Sequence, residues 1–305
     1  NEIAVNHTLA AYFSVDVFTI AASANAGGSI TPSGSIAVNY GADQMFAIAP
    51  ATGRHIDSVL VDGVNAGALA SYAFTGVTAN HSIAAYFSVN TFTVTATAGP
   101  NGTISPPGAS VVSYGDTLTL TMTPATGYHV DSLLVDGVNL GALTVYTFTN
   151  VTANHTIAAY FSITDFAITA TAGPGGSISP SGSVGVTYGS NRAFTMNPGT
   201  GYHVDSVVVD GVNIGAPANY TFTGVTANHT IAAWFSINIY TITATAGTGG
   251  SISPSGTLDL AHGSSQGFAI TPATGYVIQD LLIDGVSVGQ PVSYTFTSLS
   301  ANRTI

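Results

Sequence analysis

Histidine and aspartate recur in this chain at fixed spacings, and each pattern has a chemistry to which it could belong. His55, His129 and His203 follow a Gly-Arg or Gly-Tyr pair, while His7, His81, His155 and His229 each follow an asparagine. Imidazoles ligate zinc, but a zinc site gathers several nitrogen, sulfur or carboxylate ligands around one ion. Equivalent histidines here lie a whole repeat apart, and no cysteine or carboxylate cluster joins the two unlike histidines of one repeat. Hydrogen-bonded histidines at strand ends are the simpler reading. Asp57/Asp62, Asp131/Asp136 and Asp205/Asp210 suggest calcium, yet residues five apart on a strand face opposite ways, and no D-x-D-x-D-G loop is present. They read as one solvated Asp and one turn Asp. Gly263-Ser-Ser-Gln-Gly267 matches the nucleophile-elbow pattern, but no helix follows, and the preceding repeat has Gly189-Ser-Asn-Arg-Ala193 in that place. Gly173-Pro-Gly-Gly176 lacks the Lys and helix of a phosphate loop and reads as a hairpin turn. No catalytic residue, metal ligand or cofactor site is therefore assigned, and the chain is not expected to be an enzyme.

Two further patterns point outward. Asn6, Asn80, Asn154, Asn228 and Asn302 each open an N-x-[ST] triplet, as do Asn101, Asn150 and Asn219. In a glycosylating secretory route these would be acceptors; the plainer account is that Asn suits a turn just before a strand. Tyr12, Tyr86, Tyr160 and Trp234 fall on the strand face opposite Phe13, Phe87, Phe161 and Phe235. An exposed aromatic in every repeat would make a stripe for sugars or a neighbouring chain; the alternative is packing where modules meet.

The elements carrying these residues repeat without insertion or deletion. Asp-Gly pairs begin at Asp62, Asp136, Asp210 and Asp284, at intervals of 74 residues. The seam is clearest from Thr226 to Gly247. Ile231, Ala233, Phe235 and Ile237 take odd positions, and Tyr240, Ile242 and Ala244 even ones. A one-residue phase change moves the apolar set to the other face, so two strands of two modules meet near Asn238 with no linker.

Within residues 90–163, period-2 alternation predicts strands at Phe92–Thr97, Thr103–Ser105, Ser110–Tyr114, Thr117–Thr123, Tyr128–Val135, Val138–Leu140, Tyr146–Thr149 and His155–Ile163. Gly, Pro and Asn mark the turns between them. The pairs at Asp62, Asp136, Asp210 and Asp284 predict type I′ hairpins, which need positive φ at both central residues. The expected fold class is all-β: four tandem 74-residue small β-sandwich or grasp-like modules stacked as a rod, with no helix. The boundaries are 16–89, 90–163, 164–237 and 238–305, preceded at 1–15 by the closing strand of an earlier module or a donor strand. A lone module this small buries only about 60% of its unfolded surface, so each is expected to lean on its neighbours. By the size relation for globular units, four modules would span on the order of 100–120 Å.

The motifs carry a resemblance. Gly175–Gly182, Tyr188-Gly189, Gly201-Tyr202-His203, Asp210-Gly211, Tyr220–Thr223 and Val225–Phe235 resemble, in this order, the divergent branch of the internalin B-type B-repeat family. The likeness runs over essentially the whole chain. It implies a secreted or surface-anchored bacterial protein whose tandem modules serve as stalks, spacers or adhesive segments, and it implies no shared catalytic residues. The fourth repeat departs in part, with Val277 and Arg303 in place of histidines, His262 in place of Tyr and Gln279 in place of Asp.

Composition narrows the partners. With 3 Lys+Arg against 14 Asp+Glu, the net charge is -11, which argues against nucleic acid and anionic membranes. No apolar run approaches the ~18 residues of a membrane helix, so this segment is not expected to span a membrane. The absence of lysine removes lysine isopeptide links, and the absence of cysteine removes disulfides. The same Thr/Ser/Gly-rich composition suggests extracellular or cell-surface residence. Residues 297–305 align with 1–9, which leaves two readings: a window of a longer array, or Asn1–Val15 of one subunit completing the sheet of the next through Ala10, Tyr12, Phe13 and Val15. The expected role is a non-catalytic surface fibre or adhesin stalk, whose partners are its own copies or further repeats. Glycan or host-protein binding is the alternative.

Overall fold

A computed structural model describes residues 7–305 of the chain. The first module sets the pattern with eight strands: β1 (Val17–Ala24), β2 (Gly28–Thr31), β3 (Gly34–Asn39), β4 (Gln44–Pro50), β5 (Arg54–Val61), β6 (Val64–Asn65), β7 (Ser71–Phe74) and β8 (His81–Val89). Alternation decides which side chains enter the core: in β1 Ile20 and Ala22 are buried, and in β8 Ile83, Ala85 and Phe87.

Two sheets result, one of five strands in the order β3-β1-β8-β5-β6 and one of three in the order β2-β4-β7. Their inner faces share one core, with Ile20, Val59 and Ile83 from the larger sheet meeting Phe46, Ile48 and Phe74 from the smaller. All pairs are antiparallel except β1 with β8, which run parallel from Ile20↔His81 to Ala24↔Ala85. Parallel neighbours need a long crossover, and the residues between β1 and β8 supply it.

The same order recurs in the second module (Thr91–Ala98 to His155–Ile163) and the third (Asp165–Ala172 to His229–Ile237). In the fourth, Gly256–Ala261, Ile239–Ala244 and Arg303–Thr304 form a three-stranded sheet, and Leu282–Ile283 pairs with Val286–Ser287 apart from it. Among the described residues there is no helix. The tandem all-β architecture is thus the one that the alternation and the turn residues dictate.

Two details depart from simple alternation. The pairing of β5 with β8 skips Asp57, and the third module skips Asp205, so a bulge at each aspartate shifts the strand's phase. Counting parity between Asp205 and Asp210 therefore does not give their faces. Each module also has a core cluster of its own. The chain divides into two compact units, Asn1–Ser162 and Ile163–Ile305, each holding two modules.

Candidate functional site

The functional geometry of every module gathers around its closing strand. At the start of β8, the Asp62 carboxylate accepts the Ser82 N–H at 2.7 Å and the His81 Nδ1–H at 2.7 Å. Asp136 holds Thr156 and His155 in this way, and Asp210 holds Thr230 and His229. The turn makes this clasp available: Asp62, Asp136, Asp210 and Asp284 have φ of 47–52°, and the glycine after each has φ of 79–82°. Each imidazole also lies against a core phenyl ring, with centroids 4.7–4.8 Å apart for Phe74–His81, Phe148–His155 and Phe222–His229. In the fourth module Arg303 takes the histidine's place, 3.0 Å from Asp284 and 5.6 Å from the Phe296 ring centre.

These contacts tune the carboxylates. Burial pushes Asp62 up, but hydrogen bonds from His81 and the Ser82 N–H outweigh it and hold the group below its ordinary value. Asp136 is lowered chiefly by the Thr156 N–H and then by His155. For Asp210, burial is again outweighed, here by the Thr230 N–H and His229. An aspartate bound to an imidazole resembles two-thirds of a catalytic triad. Yet no hydroxyl is hydrogen-bonded to the rings of His81, His155 or His229 among the described residues, so the pair fastens a strand to a turn. In the second module, Ser162 Oγ lies 3.1 Å from His129 Nε2 and 3.5 Å from Asp131 Oδ1, joining two adjacent strands. No group of three or more metal-ligating side chains is present among the described residues.

Asn80, Asn154 and Asn228 are exposed, and each Oδ1 accepts a backbone N–H of the module's first strand at 2.8 Å: Thr19, Thr93 and Ala167 in turn. Asn302 does the same for Thr241 at 3.0 Å. The N-x-[ST] asparagines therefore have a structural task, tying the closing strand to its parallel neighbour. Asn6 lies outside the described residues.

Within each unit the two modules are joined directly at one asparagine, with a ring packed beside it. Within the first unit, the Asn90 N–H donates to Gly53 O at 2.9 Å, its C=O accepts from Tyr114 N–H at 2.8 Å, and its side chain accepts from His55 Nδ1–H at 2.8 Å. Within the second unit Asn238 does likewise with Gly201 O, His262 N–H and His203 Nδ1–H, each at 2.8 Å. The Tyr114 ring covers Gly53 and the His262 ring covers Gly201, so closely that a Cβ would lie 2.2 Å and 2.1 Å from them. The change of phase placed a seam near Asn238, but the hydrogen bonds made there and the Asp–His clasp escaped sequence reasoning. The clasp's signal was a 19-residue spacing shared by Asp62/His81, Asp136/His155 and Asp210/His229, with a cation kept at Arg303 opposite Asp284.

The aromatic residues singled out on the closing strands are each half-exposed. Tyr86, Tyr160 and Trp234 are 41%, 48% and 50% exposed. Tyr160 and Trp234 lie over Gly99 and Gly173 of their own modules, while the seams within each unit use Tyr114 and His262 instead. Ala10, Tyr12, Phe13 and Val15 are exposed and belong to no sheet of this chain.

The model of the divergent InlB B-repeat domain matches residues 92–165, 166–239 and 240–305. The chain belongs to the divergent InlB B-repeat family. The first module, outside the matched segments, has the same strand order as the second and third. No curated protein matches the sequence. Among solved structures, the Bacillus anthracis TIE protein is 10% identical over 96% of this chain and 75% of that one, with a TM-score of 0.35. The I9-I11 tandem of titin is 10% identical over 72% of this chain and 98% of that one, with a TM-score of 0.14. Scores this low carry no argument.

Proposed function

We propose that this chain is a non-catalytic, extracellular structural repeat protein: the stalk or fibre segment of a bacterial cell surface, built to hold a shape. The observation that carries this reading is the one-residue seam. Asn90 and Asn238 each bind a turn of the preceding module, a turn of the following one and a histidine, which leaves little freedom to swivel between modules of a unit. Membership of the divergent InlB B-repeat family and a composition rich in Thr, Ser, Asn and Gly support it further. Small-angle scattering on the dilute chain tests it. Insertion of six Gly/Ser residues after Asn90 should visibly broaden the distribution of interatomic distances. If the native chain already scatters like independently tumbling modules, the reading fails.

A second reading rests on Tyr86, Tyr160 and Trp234, one half-exposed aromatic per module on the same strand. Such rings suit sugar faces or a host protein. Glycan-array or cell-binding signal by the native chain, lost in Trp234→Ala, would favour this adhesin role.

A further inference from the structure

We propose that the outward face of the larger sheet is a saccharide site, most developed in the third module, where Trp234 stacks on an uncharged hexopyranose and Asp205, Ser206 and His203 bind its hydroxyls. This names the ligand class of the second reading above and rests on that reading.

The indole is set as a platform. The closing strand His229–Ile237 sends Ile231 and Ala233 into the core, so Trp234 points the other way and is half-exposed. Against it lies Gly173, whose φ is not positive and whose backbone therefore does not require glycine. The ring does: a Cβ at Gly173 would lie 2.7 Å from Trp234 Cε3. Glycine thus lets the indole rest on the main chain while half of the side chain faces solvent. In the second module Tyr160 lies over Gly99 at an ordinary 3.7 Å, and in the first Asn25 takes the glycine's place. A ring already held by its own fold has little freedom left to lose when a ligand covers it.

Polar groups stand beside the ring. On the neighbouring strand Tyr202–Val209, Ser206 is directly opposite Trp234, and His203 is opposite Ser236. Side chains paired in this way share a face, with Cβ atoms about 5 Å apart. The two pairs are separated by about 7 Å along the closing strand, a length that one sugar ring and its hydroxyls cover. The bulge puts Asp205 between them, and its carboxylate accepts from Ser206 Oγ at 3.3 Å. His203 donates through Nδ1 to Asn238, which leaves Nε2 of the neutral ring as an acceptor. In the second module the equivalent atoms, His129 Nε2 and Asp131 Oδ1, converge on Ser162 Oγ at 3.1 and 3.5 Å, so these two groups reach a common hydroxyl.

Charge and area select the ligand. The four longer strands of this sheet, Asp165–Ala172, Gly182–Thr187, Tyr202–Val209 and His229–Ile237, contain no Lys or Arg. A sialylated or sulfated sugar would therefore meet the Asp205 carboxylate with no cation to offset it. A protein partner of standard size needs roughly 800 Å² per side around an apolar centre. Beyond Trp234 and the half-buried Val208, this face is built from small side chains such as Thr169, Thr171, Ser183, Thr230 and Ala232. One ring is too little to anchor such a partner. It is what the C–H face of a pyranose covers, and the acceptors around it suit the hydroxyls at the sugar's rim.

Trp234 is the chain's only tryptophan, so its fluorescence reports occupancy directly. The native chain is applied to an array of uncharged glycans and their sialylated and sulfated forms, and the uncharged glycan bound best is then titrated in solution. Trp234 emission should change saturably, and the sialylated form of the same glycan should bind more weakly. In calorimetry Trp234→Ala should lose at least about tenfold in affinity and Trp234→Phe less than that, while Asp205→Asn should narrow the gap between the uncharged and sialylated forms. Both side chains are exposed, so these variants keep the fold. No binding to any uncharged glycan, preference for the charged forms, equal affinity of Trp234→Ala, or an unchanged gap in Asp205→Asn would each overturn the proposal. Cell binding lost in Trp234→Ala without any glycan binding would overturn it and leave the adhesin reading standing, so the two fail separately.

Discussion

Replacing Gly176 and Gly250 by alanine, one at a time, makes the same chemical change at equivalent places in two modules, yet the results should differ. At Gly176 the new methyl would sit 2.6 Å from Phe235 ring atoms, inside ordinary contact distance. Overpacking of this kind costs about 1–3 kcal/mol. Reduced freedom of the unfolded chain offsets about 0.4–1 kcal/mol of that. The net is a loss of about 1–2 kcal/mol, a factor of about 5–30 in the closed-to-open ratio. At Gly250 the nearest atom is a single carbonyl oxygen at 3.1 Å, which need yield only slightly, so the two effects nearly cancel. Hydrogen-exchange mass spectrometry of the intact chain reads each module separately, because cores open locally. Faster exchange in the third module for Gly176→Ala, with the fourth unchanged for Gly250→Ala, is the expected result. Equal changes in both modules would refute the claim that the Phe235 ring is what makes a side chain costly at Gly176.

Three other outcomes follow from the same geometry. Gly53→Ala places a side chain at φ of 74° and against the Tyr114 ring; the left-handed backbone alone costs about 1–2 kcal/mol, so the Asn90 amide should exchange faster while the two cores keep their protection. Asp62, Asp136 and Asp210 are held below their ordinary value in the folded chain, so the unfolded state binds more protons as pH falls through the range near 3.9 and below. Their stabilisation is therefore present above that range and lost beneath it; melting temperatures from pH 6 to 2.5 should fall less steeply for a triple Asp→Asn chain, and an unchanged slope would contradict the clasp. His155→Ala removes both a carboxylate partner and the ring stacked on Phe148, and should destabilise the second module by about 1–2 kcal/mol, whereas His155→Arg, imitating Arg303, should recover part of this in the same exchange measurement.

What could be read from the sequence was what depends on local period. Alternation located the strands, since Val94 and Ala96 face the core and Thr93 and Thr95 do not follow them. The change of phase at Asn238 marked a seam because side-chain direction is fixed residue by residue. The parallel pairing of β1 with β8 was not legible, for it joins residues 61 apart and leaves no local mark. The task of Asn80 depends on that pairing, and those of Asp62 and His81 on the pairing of β5 with β8, so all three stayed hidden. The bulges at Asp57 and Asp205 were missed because one extra residue in a strand resembles ordinary alternation until its partner is known.

The parallel contact between β1 and β8 has a mechanical consequence. β1 brings the chain into the module and β8 takes it out, side by side and pointing the same way. A pull along the polypeptide drags the two in opposite senses, so their hydrogen bonds are loaded together and must give way at once, where a hairpin would peel open one rung at a time. The strand that receives tension from one neighbour thus grips the strand that hands it to the next, and the remaining strands of the module are largely bypassed by the load.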